Sequence, residues 1–424
     1  MMLSRLAPFV WLAMAHALPV DQDPSSIPAP GSPFTIPVRV NPHYVPDGPA
    51  DLVAAYRKWN MPVPEALEKH LLTRRAGTNG DSYWLSEIFV GTPEAQAIPV
   101  LIDSGSSDFW LMSTDTQFGN AAKNGKPKLY DPSKSEASQE VAGASWNLQY
   151  HDGSSSSGKV YLDMLRIGLM TDYNWFNISN ATIQSAVSVT NRLAVDPNLS
   201  GVLGLAKQRP SNIQPRMPSI MDRLKQELHF EFIGADLRAN SSLGSWNFGS
   251  SQGGGKNLIH EPPVPNSEHW DFRVEGFRLS SMSDNSWYTA RMTATVDTGS
   301  SLLLLPGTVV AKYYAEIPGS SFDETLQSWL FPCDIASGIP DFEFSTSGGY
   351  TGKVPKAYIN IGPVPGNTEK CYGGIQKSVH NHAIFGSVVL KTLYVQFNYG
   401  ERGSFVSFGS KGLDVCSVTS TCTQ

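Results

Sequence analysis

One short motif occurs twice in this chain and limits its possible folds more than any other feature. The two copies are Asp103-Ser104-Gly105-Ser106-Ser107 and Asp297-Thr298-Gly299-Ser300-Ser301. Each copy follows an apolar, strand-like run and precedes another. At average residue usage, two such copies would arise by chance in on the order of one in a few thousand chains. The repeat therefore predicts two similar structural units, each presenting one carboxylate where a strand meets a turn.

A coarser repeat extends over the same region. Asp103 is followed 101 residues later by Gly204, which ends Val202-Leu203-Gly204, and Asp297 is followed 89 residues later by Gly386, which ends Ile384-Phe385-Gly386. From Tyr83 onward the chain reads as short strands separated by turn residues. Only one helix is predicted there, beginning after Ser219, with Asp222 three residues on. We therefore expect an all-β fold of two pseudo-twofold-related β lobes, with few short helices and a cleft between the lobes.

The first 75 residues differ in composition from the rest. Residues 1–17 read as a secretory signal peptide, with Arg5 before an apolar stretch that is too short to span a membrane. Residues 18–75 are rich in proline and end at the dibasic pair Arg74-Arg75, which predicts a propeptide; the alternative is a loose N-terminal extension. We expect residues 76–255 to form the N-terminal lobe and residues 256–424 the C-terminal lobe.

Charge and cysteine content narrow the function. The formal net charge is −6, which argues against a nucleic-acid partner. No apolar segment suits a membrane span, and we expect a secreted, extracellular monomer. The four cysteines allow three pairings in an oxidising compartment. Four sequons predict glycosylated surface asparagines, at Asn177, Asn180, Asn198 and Asn240.

The paired carboxylates have a chemistry of their own. Two Asp side chains within about a hydrogen bond of each other cannot both ionise cheaply, so the pair holds one proton over an acidic range, as aspartic proteases themselves illustrate. The ionised member can take a proton from water while the protonated member polarises a carbonyl. This chemistry needs no metal and no cofactor, and we expect neither. A single Asp-x-Gly would be an ordinary turn.

The residues beside each aspartate suit the same chemistry. Gly105 and Gly299 are expected to let the backbone approach the carboxylates and to adopt turn geometry closed to other residues. Ser104 and Thr298 are expected to hydrogen-bond across the junction of the lobes, and Ser106 and Ser300 to donate to the carboxylates. Other hydrolase motifs fail: the G-x-S-x-G at residues 249–253 precedes no helix pattern, and H-E-x-x-H is absent from the sequence.

From Tyr83 to about Gly409 the chain resembles the pepsin family of aspartic endopeptidases, in its secreted fungal form. The resemblance implies a bilobal pepsin-like fold, Asp103 and Asp297 as the catalytic pair, and polypeptide substrates with hydrophobic residues around the scissile bond. It also implies that Cys333 pairs with Cys371, which leaves Cys416 for Cys422. Residues 146–158 resemble the flap that closes over substrate, whose binding residues would be Tyr150, His151, Asp152 and Gly153, joined by Gly105, Gly299 and Ser300. Trp110 would hydrogen-bond Tyr150.

Three positions depart from the family pattern. Ser104 replaces a threonine but keeps its hydroxyl, so we expect activity to survive. His151 replaces a glycine, and is either a solvated histidine or a group that alters pH dependence or subsite preference. Ser387 replaces an aspartate near the second motif, which would shift the pKa values of the aspartate pair. Because Ser104 and His151 share one lobe, any atypical behaviour is expected on the Asp103 side.

Two functions are compatible with these residues. The first is an acid endopeptidase made as a zymogen, in which residues 18–75 cover the cleft and place Arg57, Lys58 or Lys69 near the aspartates. The second is a catalytically silent, secreted binding protein on the same scaffold. Silent relatives usually lack a catalytic aspartate or the flap tyrosine, and this chain keeps Asp103, Asp297 and Tyr150. The endopeptidase is therefore the favoured hypothesis.

Overall fold

A computed structural model describes most of the chain after residue 32. The described residues are 33–41, 44–73, 84–118, 127–149, 155–169, 174–189, 196–207, 211–239, 244–249, 256–281, 286–400 and 403–411. Within these ranges the protein is mostly β-structure, as its sequence predicts. No helix in the described ranges has the length and apolar character needed to cross a bilayer.

The first 75 residues, here called the leader, contribute one strand and two helices in their described part. These are β1 (Phe34–Val40), α1 (Gly48–Lys58) and α2 (Glu65–Thr73). Asp47 caps α1 by accepting from the Ala50 N–H, and Pro49 stands in the first turn, where its missing N–H costs no hydrogen bond. The apolar residues from Asp51 to Leu72 have partly helical spacing, and the structure forms two helices there, separated by residues 59–64.

In the described part of the first half of the remaining chain there are ten strands and one α-helix. The strands are β2 (Trp84–Val90), β3 (Gln96–Asp103), β4 (Phe109–Gln117), β5 (Gln139–Gln149), β6 (Ser155–Leu169), β7 (Asn174–Val189), β8 (Gly201–Gly204), β9 (Ile213–Gln214), β10 (Phe232–Asp236) and β11 (Gly244–Phe248). A short 3-10 helix covers Pro132–Lys134. Helix α3 (Ile220–Glu227) begins with the Ser219–Asp222 capping box, which confirms the predicted helix.

Fourteen strands and three short α-helices lie in the described residues of the second half. The strands are β12 (Lys256–His260), β13 (Asp271–Leu279), β14 (Tyr288–Val296), β15 (Leu303–Pro306), β16 (Ser321–Asp323), β17 (Ser328–Pro332), β18 (Phe342–Thr346), β19 (Thr351–Val354), β20 (Asn360–Val364), β21 (Asn367–Gly373), β22 (Ile375–Ser378), β23 (His382–Phe385), β24 (Tyr394–Asn398) and β25 (Phe405–Ser410). The helices are α4 (Gly307–Ala315), α5 (Lys356–Ile359) and α6 (Ser387–Leu390), with a 3-10 helix at Cys333–Gly338. Sequence reasoning misses α4 because Pro306 supplies no capping side chain.

The strands form three sheets. The largest has the order β12-β25-β24-β10-β11-β1-β2-β3-β8-β4-β7-β6-β5-β9. A second sheet has the order β19-β18-β13-β14-β23-β15-β22, and a third the order β16-β17-β21-β20. In the largest sheet, β10 from the first half pairs with β24 from the second, so hydrogen bonds join the two halves of the chain. The leader strand β1 lies between β11 and β2 and is part of this sheet.

Helix α1 of the leader packs on the second half. Its buried Leu52, Val53 and Tyr56 share an apolar cluster with Leu302 and Leu304, which follow the second Asp motif. The Tyr56 hydroxyl also donates to the Lys377 carbonyl at 2.7 Å. Full burial of a large apolar side chain contributes about 1.5–3 kcal/mol. Apolar packing thus fixes α1 beside the second aspartate loop.

The disulfide Cys333–Cys371 is present, as the family resemblance implies. Its sequence separation is 38 residues, and a loop of that size predicts about 3–4 kcal/mol of stabilisation in the chain-entropy account. Cys416 and Cys422 lie outside the described residues, so their pairing stays a prediction.

The double substitution Cys333→Ala/Cys371→Ala should lower the free energy of unfolding by about 3 kcal/mol. Denaturant unfolding of the purified full-length chain, without reducing agent, measures the change. Cys416→Ala/Cys422→Ala is the matched control, because those residues are only 6 apart and close a far shorter loop. Equal losses in the two variants would contradict the prediction.

Candidate active site

The two Asp motifs occupy equivalent places in the fold. Asp103 ends β3, which pairs in parallel with β8 and places Asp103 opposite Gly204. Asp297 directly follows β14, which pairs in parallel with β23 and places Val296 opposite Phe385. The segments 202–204 and 384–386, each of which ends in glycine, therefore lie beside an aspartate-bearing strand. The predicted internal repeat is a true structural repeat.

Backbone hydrogen bonds repeat in the same way around the two loops. The Gly204 N–H donates to the Asp108 carbonyl at 3.0 Å, and the Gly386 N–H donates to the Leu302 carbonyl at 3.1 Å. A Cβ added at Gly204 would lie 2.6 Å from the Ser106 carbonyl oxygen, and one added at Gly386 would lie 2.5 Å from that of Ser300. Each segment ends in glycine because the loop that carries the neighbouring Asp motif passes too close for any side chain.

Gly105 and Gly299 allow a second close approach, across the lobes. A Cβ at Gly105 would lie 2.6 Å from Asp297 Oδ1, and one at Gly299 would lie 2.5 Å from Asp103 Oδ1. Each glycine thus makes room for the carboxylate of the other motif. The expected turn geometry closed to other residues is wrong, because neither glycine has a positive φ. Space, and not backbone conformation, requires glycine here.

Each carboxylate is held by the residues of its own loop. Asp103 accepts from the Gly105 N–H at 2.9 Å and from the Ser106 hydroxyl at 2.5 Å. Asp297 accepts from the Gly299 N–H at 2.9 Å and from the Ser300 hydroxyl at 2.5 Å. The predicted serine contacts are confirmed. These bonds fix the orientation of both carboxylates and favour their ionised forms.

Ser104 and Thr298 join the two loops by four hydrogen bonds. The Ser104 N–H donates to Thr298 Oγ1 at 2.9 Å, and the Thr298 N–H donates to Ser104 Oγ at 3.1 Å. The Ser104 hydroxyl donates to the Val296 carbonyl at 3.0 Å, and that of Thr298 to the Ile102 carbonyl at 2.7 Å. The predicted cross-lobe contact is confirmed. Ser104 makes the same bonds as Thr298, so serine in place of threonine preserves the contact between the two loops.

A lysine of the leader lies between the two carboxylates. Lys58 Nζ is 2.7 Å from Asp103 Oδ1 and 2.6 Å from Asp297 Oδ1. It is the last residue of α1, and its side chain is only 18% exposed. Of the three basic residues predicted to approach the aspartates, Lys58 does so. Arg57 pairs instead with Glu68 of α2, and Lys69 is exposed.

The next residue, Trp59, also reaches the aspartates, which sequence reasoning missed. Its indole N–H donates to Asp297 Oδ2 at 2.9 Å. Its ring centroid lies 4.7 Å from that of His269 and 6.3 Å from that of His382. The available signal was an aromatic side chain directly after the candidate lysine. Trp59 contacts Asp297 alone of the two aspartates, so the leader contacts the pair unequally.

The electrostatics of the two aspartates differ in the same sense. Burial raises the pKa of Asp103, and the neighbouring Asp297 adds to the rise, against the opposing effect of Lys58. Burial also opposes ionisation of Asp297, but Lys58, Ser300 and the Gly299 N–H together outweigh it and lower its pKa. Burial would lower the pKa of Lys58, yet the two carboxylates outweigh it and raise that pKa. With the leader bound, Asp297 is the favoured anion.

The flap is only partly described. β5 and β6 form the antiparallel hairpin predicted for residues 146–158, with Trp146 opposite Gly158 and Gln149 opposite Ser155. The tip, with Tyr150, His151, Asp152 and Gly153, lies outside the described residues, so its role in binding stays a prediction. Trp110 is buried beside Trp146, with ring centroids 6.4 Å apart. Its bond to Tyr150 is likewise a prediction.

Ser387 has a structural role in this chain. It is buried, its N–H donates to the Ser300 carbonyl at 2.8 Å, and its hydroxyl donates to the Ser301 carbonyl at 3.0 Å. It therefore stabilises the second Asp loop from behind.

The sequon asparagines differ in accessibility. Asn177 and Asn180 are exposed, as predicted. Asn198 is half-buried, and its side-chain amide donates to Asn41 of the leader at 3.2 Å. Asn240 lies outside the described residues. Within the described ranges, no cluster of three or more His, Cys, Asp or Glu side chains has the spacing to hold a metal ion.

Comparison with known proteins agrees with this geometry. A family model described as eukaryotic aspartyl protease matches residues 83–408. Endothiapepsin from Cryphonectria parasitica is 30% identical over 389 residues, with 88% of each chain covered. Penicillopepsin-3 from Penicillium janthinellum is 33% identical, covering 81% of this chain and 84% of its own. Aspergillopepsin-1 from Aspergillus fumigatus is 29% identical, covering 82% and 85%.

Thr298→Val should lower the free energy of unfolding by about 2 kcal/mol. The substitution keeps the shape but leaves the buried Ser104 N–H and Ile102 carbonyl without partners, and each costs about 1–3 kcal/mol. Denaturant unfolding measures the loss. Thr298→Ser, which restores the hydroxyl, serves as the control; equal stability of the two variants would show that the hydroxyl bonds contribute little.

Proposed function

Because this chain belongs to the eukaryotic aspartyl protease family and is an aspartic-type endopeptidase, we propose that Asp103 and Asp297 together activate water for peptide hydrolysis at acidic pH. The observation that carries this proposal is the contact of both buried carboxylates with one ammonium, Lys58 Nζ. A single cation can touch both only if the two carboxylates face the same small volume. Once the leader has left, that volume is open to water and a peptide carbonyl.

The mechanism follows from two carboxyl groups that share one proton. Without Lys58, two facing carboxylates repel, so one holds a proton over an acidic range. The ionised carboxylate takes a proton from water, and the resulting hydroxide equivalent adds to the carbonyl carbon. The protonated carboxyl donates its hydrogen to the carbonyl oxygen, which gives a tetrahedral gem-diol. Collapse of the gem-diol, with proton transfer to the amide nitrogen, releases the amine and the new carboxyl group.

The residues around the pair suit this task. The Ser106 and Ser300 hydroxyls and two backbone N–H groups fix the carboxylates before the substrate arrives. Fixed donors of this kind stabilise developing charge without reorganising during the reaction. We assign Tyr150, His151, Asp152 and Gly153 to closure over the substrate, on the basis of the β5–β6 hairpin that leads to them. Substrates would carry hydrophobic residues around the scissile bond.

The leader makes the protein a zymogen. Residues 18–75 would be the propeptide, cut at Arg74-Arg75, and residues 1–17 a signal peptide. Support comes from the position of Lys58, which occupies the place of the reacting atoms, and from α1, which packs beside the Asp297 loop. We propose that the protein is a monomer and that it is extracellular. The Cys333–Cys371 disulfide supports the extracellular location, since such bonds persist in oxidising compartments.

Acid should release the leader, and the direction of this pH dependence follows from the lowered pKa of Asp297. A carboxyl group whose pKa is lowered by docking stabilises the docked state while it is ionised, and loses that effect as the pH falls through the lowered pKa. Lys58 has a raised pKa and stays cationic throughout this range. The pKa of Asp103 is raised, so as the pH falls Asp103 takes up a proton before Asp297 does. Protonation of Asp297 then leaves the largely buried Lys58 without a counter-ion. Docking is strongest near neutral pH and weakens in acid.

Asp103→Asn and Asp297→Asn should each reduce hydrolysis by the mature protein at least about a thousandfold, because each removes a member of the general acid–base pair. Cleavage of a denatured protein between roughly pH 3 and 6 measures the loss, since the pair holds one proton there. Asp115→Asn is the control, because Asp115 is exposed. If the unmodified mature chain binds peptides but cuts nothing in this range, the silent binding protein is the better description.

Lys58→Met should allow the precursor to activate at a higher pH than the unmodified precursor. Removal of one partner from a largely buried ion pair costs about 3–5 kcal/mol, so docking weakens by roughly a hundredfold to several thousandfold. The measurement is the pH midpoint at which activity appears. Lys69→Met is the matched control, since Lys69 is exposed. Equal midpoints for both variants would refute the role of Lys58 in holding the leader on the aspartates. Normal activity of the processed Lys58→Met protein would show that this variant folds.

A further inference from the structure

Trp59 occupies a position that a substrate must also occupy. Its indole N–H donates to Asp297 Oδ2 at 2.9 Å, so the ring lies directly beside one of the two carboxylates. Any peptide that places its scissile carbonyl between Asp103 and Asp297 must first displace this ring. The space beside Asp297 then becomes available to the substrate residues next to the scissile bond.

Two histidines line this space. The ring centroid of His269 is 4.7 Å from that of Trp59, at an interplanar angle of 57°, and that of His382 is 6.3 Å away, at 33°. Both distances lie within the range of aromatic pairs in proteins. An aromatic side chain is therefore already recognised by two imidazole rings at the edge of the catalytic pair.

One histidine begins a strand, and the other lies in the bend directly before strand β13. His382 begins β23 and lies opposite Thr293 of β14, the strand that leads into Asp297. Its Nε2 is 2.7 Å from Thr295 Oγ1, and the Thr295 hydroxyl also bonds Asp271. His269 immediately precedes Trp270, whose ring is fully buried. Strand β23 and the buried Trp270 therefore help to position the two rings beside Asp297.

We propose that His269 and His382 form a substrate subsite beside Asp297 that selects an aromatic side chain at a residue flanking the scissile bond. Trp59 fills this subsite in the precursor. The inference rests on the proposed endopeptidase function and adds to it the residues that decide one specificity. Leucine would fill a similar volume but has no ring face to present to the imidazoles.

The chemistry of the rings favours an aromatic partner in either protonation state. Neutral imidazole pairs with an aromatic ring through its own π-system, and imidazolium does so as a cation. Burial lowers the pKa of His382, against the opposing effect of Asp271. That ring accordingly keeps its neutral form further into the acid range.

The test compares peptide pairs that differ only in Trp or Leu at each residue flanking the scissile bond. The mature, processed protein should prefer Trp at one of these positions by roughly threefold to tenfold in kcat/KM, the effect of one or two aromatic pairs. In His269→Leu and in His382→Leu, this ratio should fall towards one. His269→Phe, which keeps a ring, should retain the preference.

His229→Leu is the matched control, since His229 is exposed, and its ratio should equal that of the unmodified protein. A general loss of structure would reduce cleavage of both peptides together and leave their ratio unchanged. An unchanged ratio in both His269→Leu and His382→Leu overturns the proposal, and so does a mature protein that cleaves denatured protein without aromatic preference. A mature protein that cleaves nothing fails at the earlier step, the proposed function itself.

Discussion

Two buried carboxylates facing one small volume need a positive charge or a shared proton. Asp103 is 5% exposed and Asp297 is 0% exposed, so water offers little screening to either group. In the precursor, Lys58 supplies the charge; in the mature enzyme we propose that a proton does so. Because the same electrostatic requirement can be met in these two ways, we propose that latency and catalysis are alternative states of one site, and that acid favours the second state.

The geometry behind this requirement is assembled from both halves of the chain. Gly105 makes room for Asp297, and Gly299 makes room for Asp103, so each loop leaves space for the carboxylate of the other. The bonds between Ser104 and Thr298 fix the two loops in register. A change in one loop is therefore transmitted to both carboxylates. This coupling explains why the repeated motif includes the residues after each aspartate as well as the aspartate itself.

Sequence reasoning succeeded where the chemistry is local. The aspartates, the serine donors and the cap at Ser219 each follow from neighbouring residues, and the structure places them as expected. It failed where partners come from distant parts of the chain. Trp59 meets His269 across a separation that no local pattern encodes, and β1 joins the large sheet through pairing with β11. The close approach at Gly105 was predicted, but its cause lies in the opposite lobe.

The departures in sequence on the Asp103 side led us to expect unusual behaviour there. In the described residues, the asymmetry lies on the other side. Trp59 bonds Asp297 only, and the pKa of Asp297 is lowered while that of Asp103 is raised. Ser104 reproduces the bonds of Thr298, so its substitution introduces little difference. Lys58 forms ion pairs with both aspartates, whereas the Trp59 indole N–H donates a hydrogen bond to Asp297 only. We therefore propose that the leader blocks the shared chemistry with Lys58 and fills, with Trp59, the part of the substrate site that is particular to this chain.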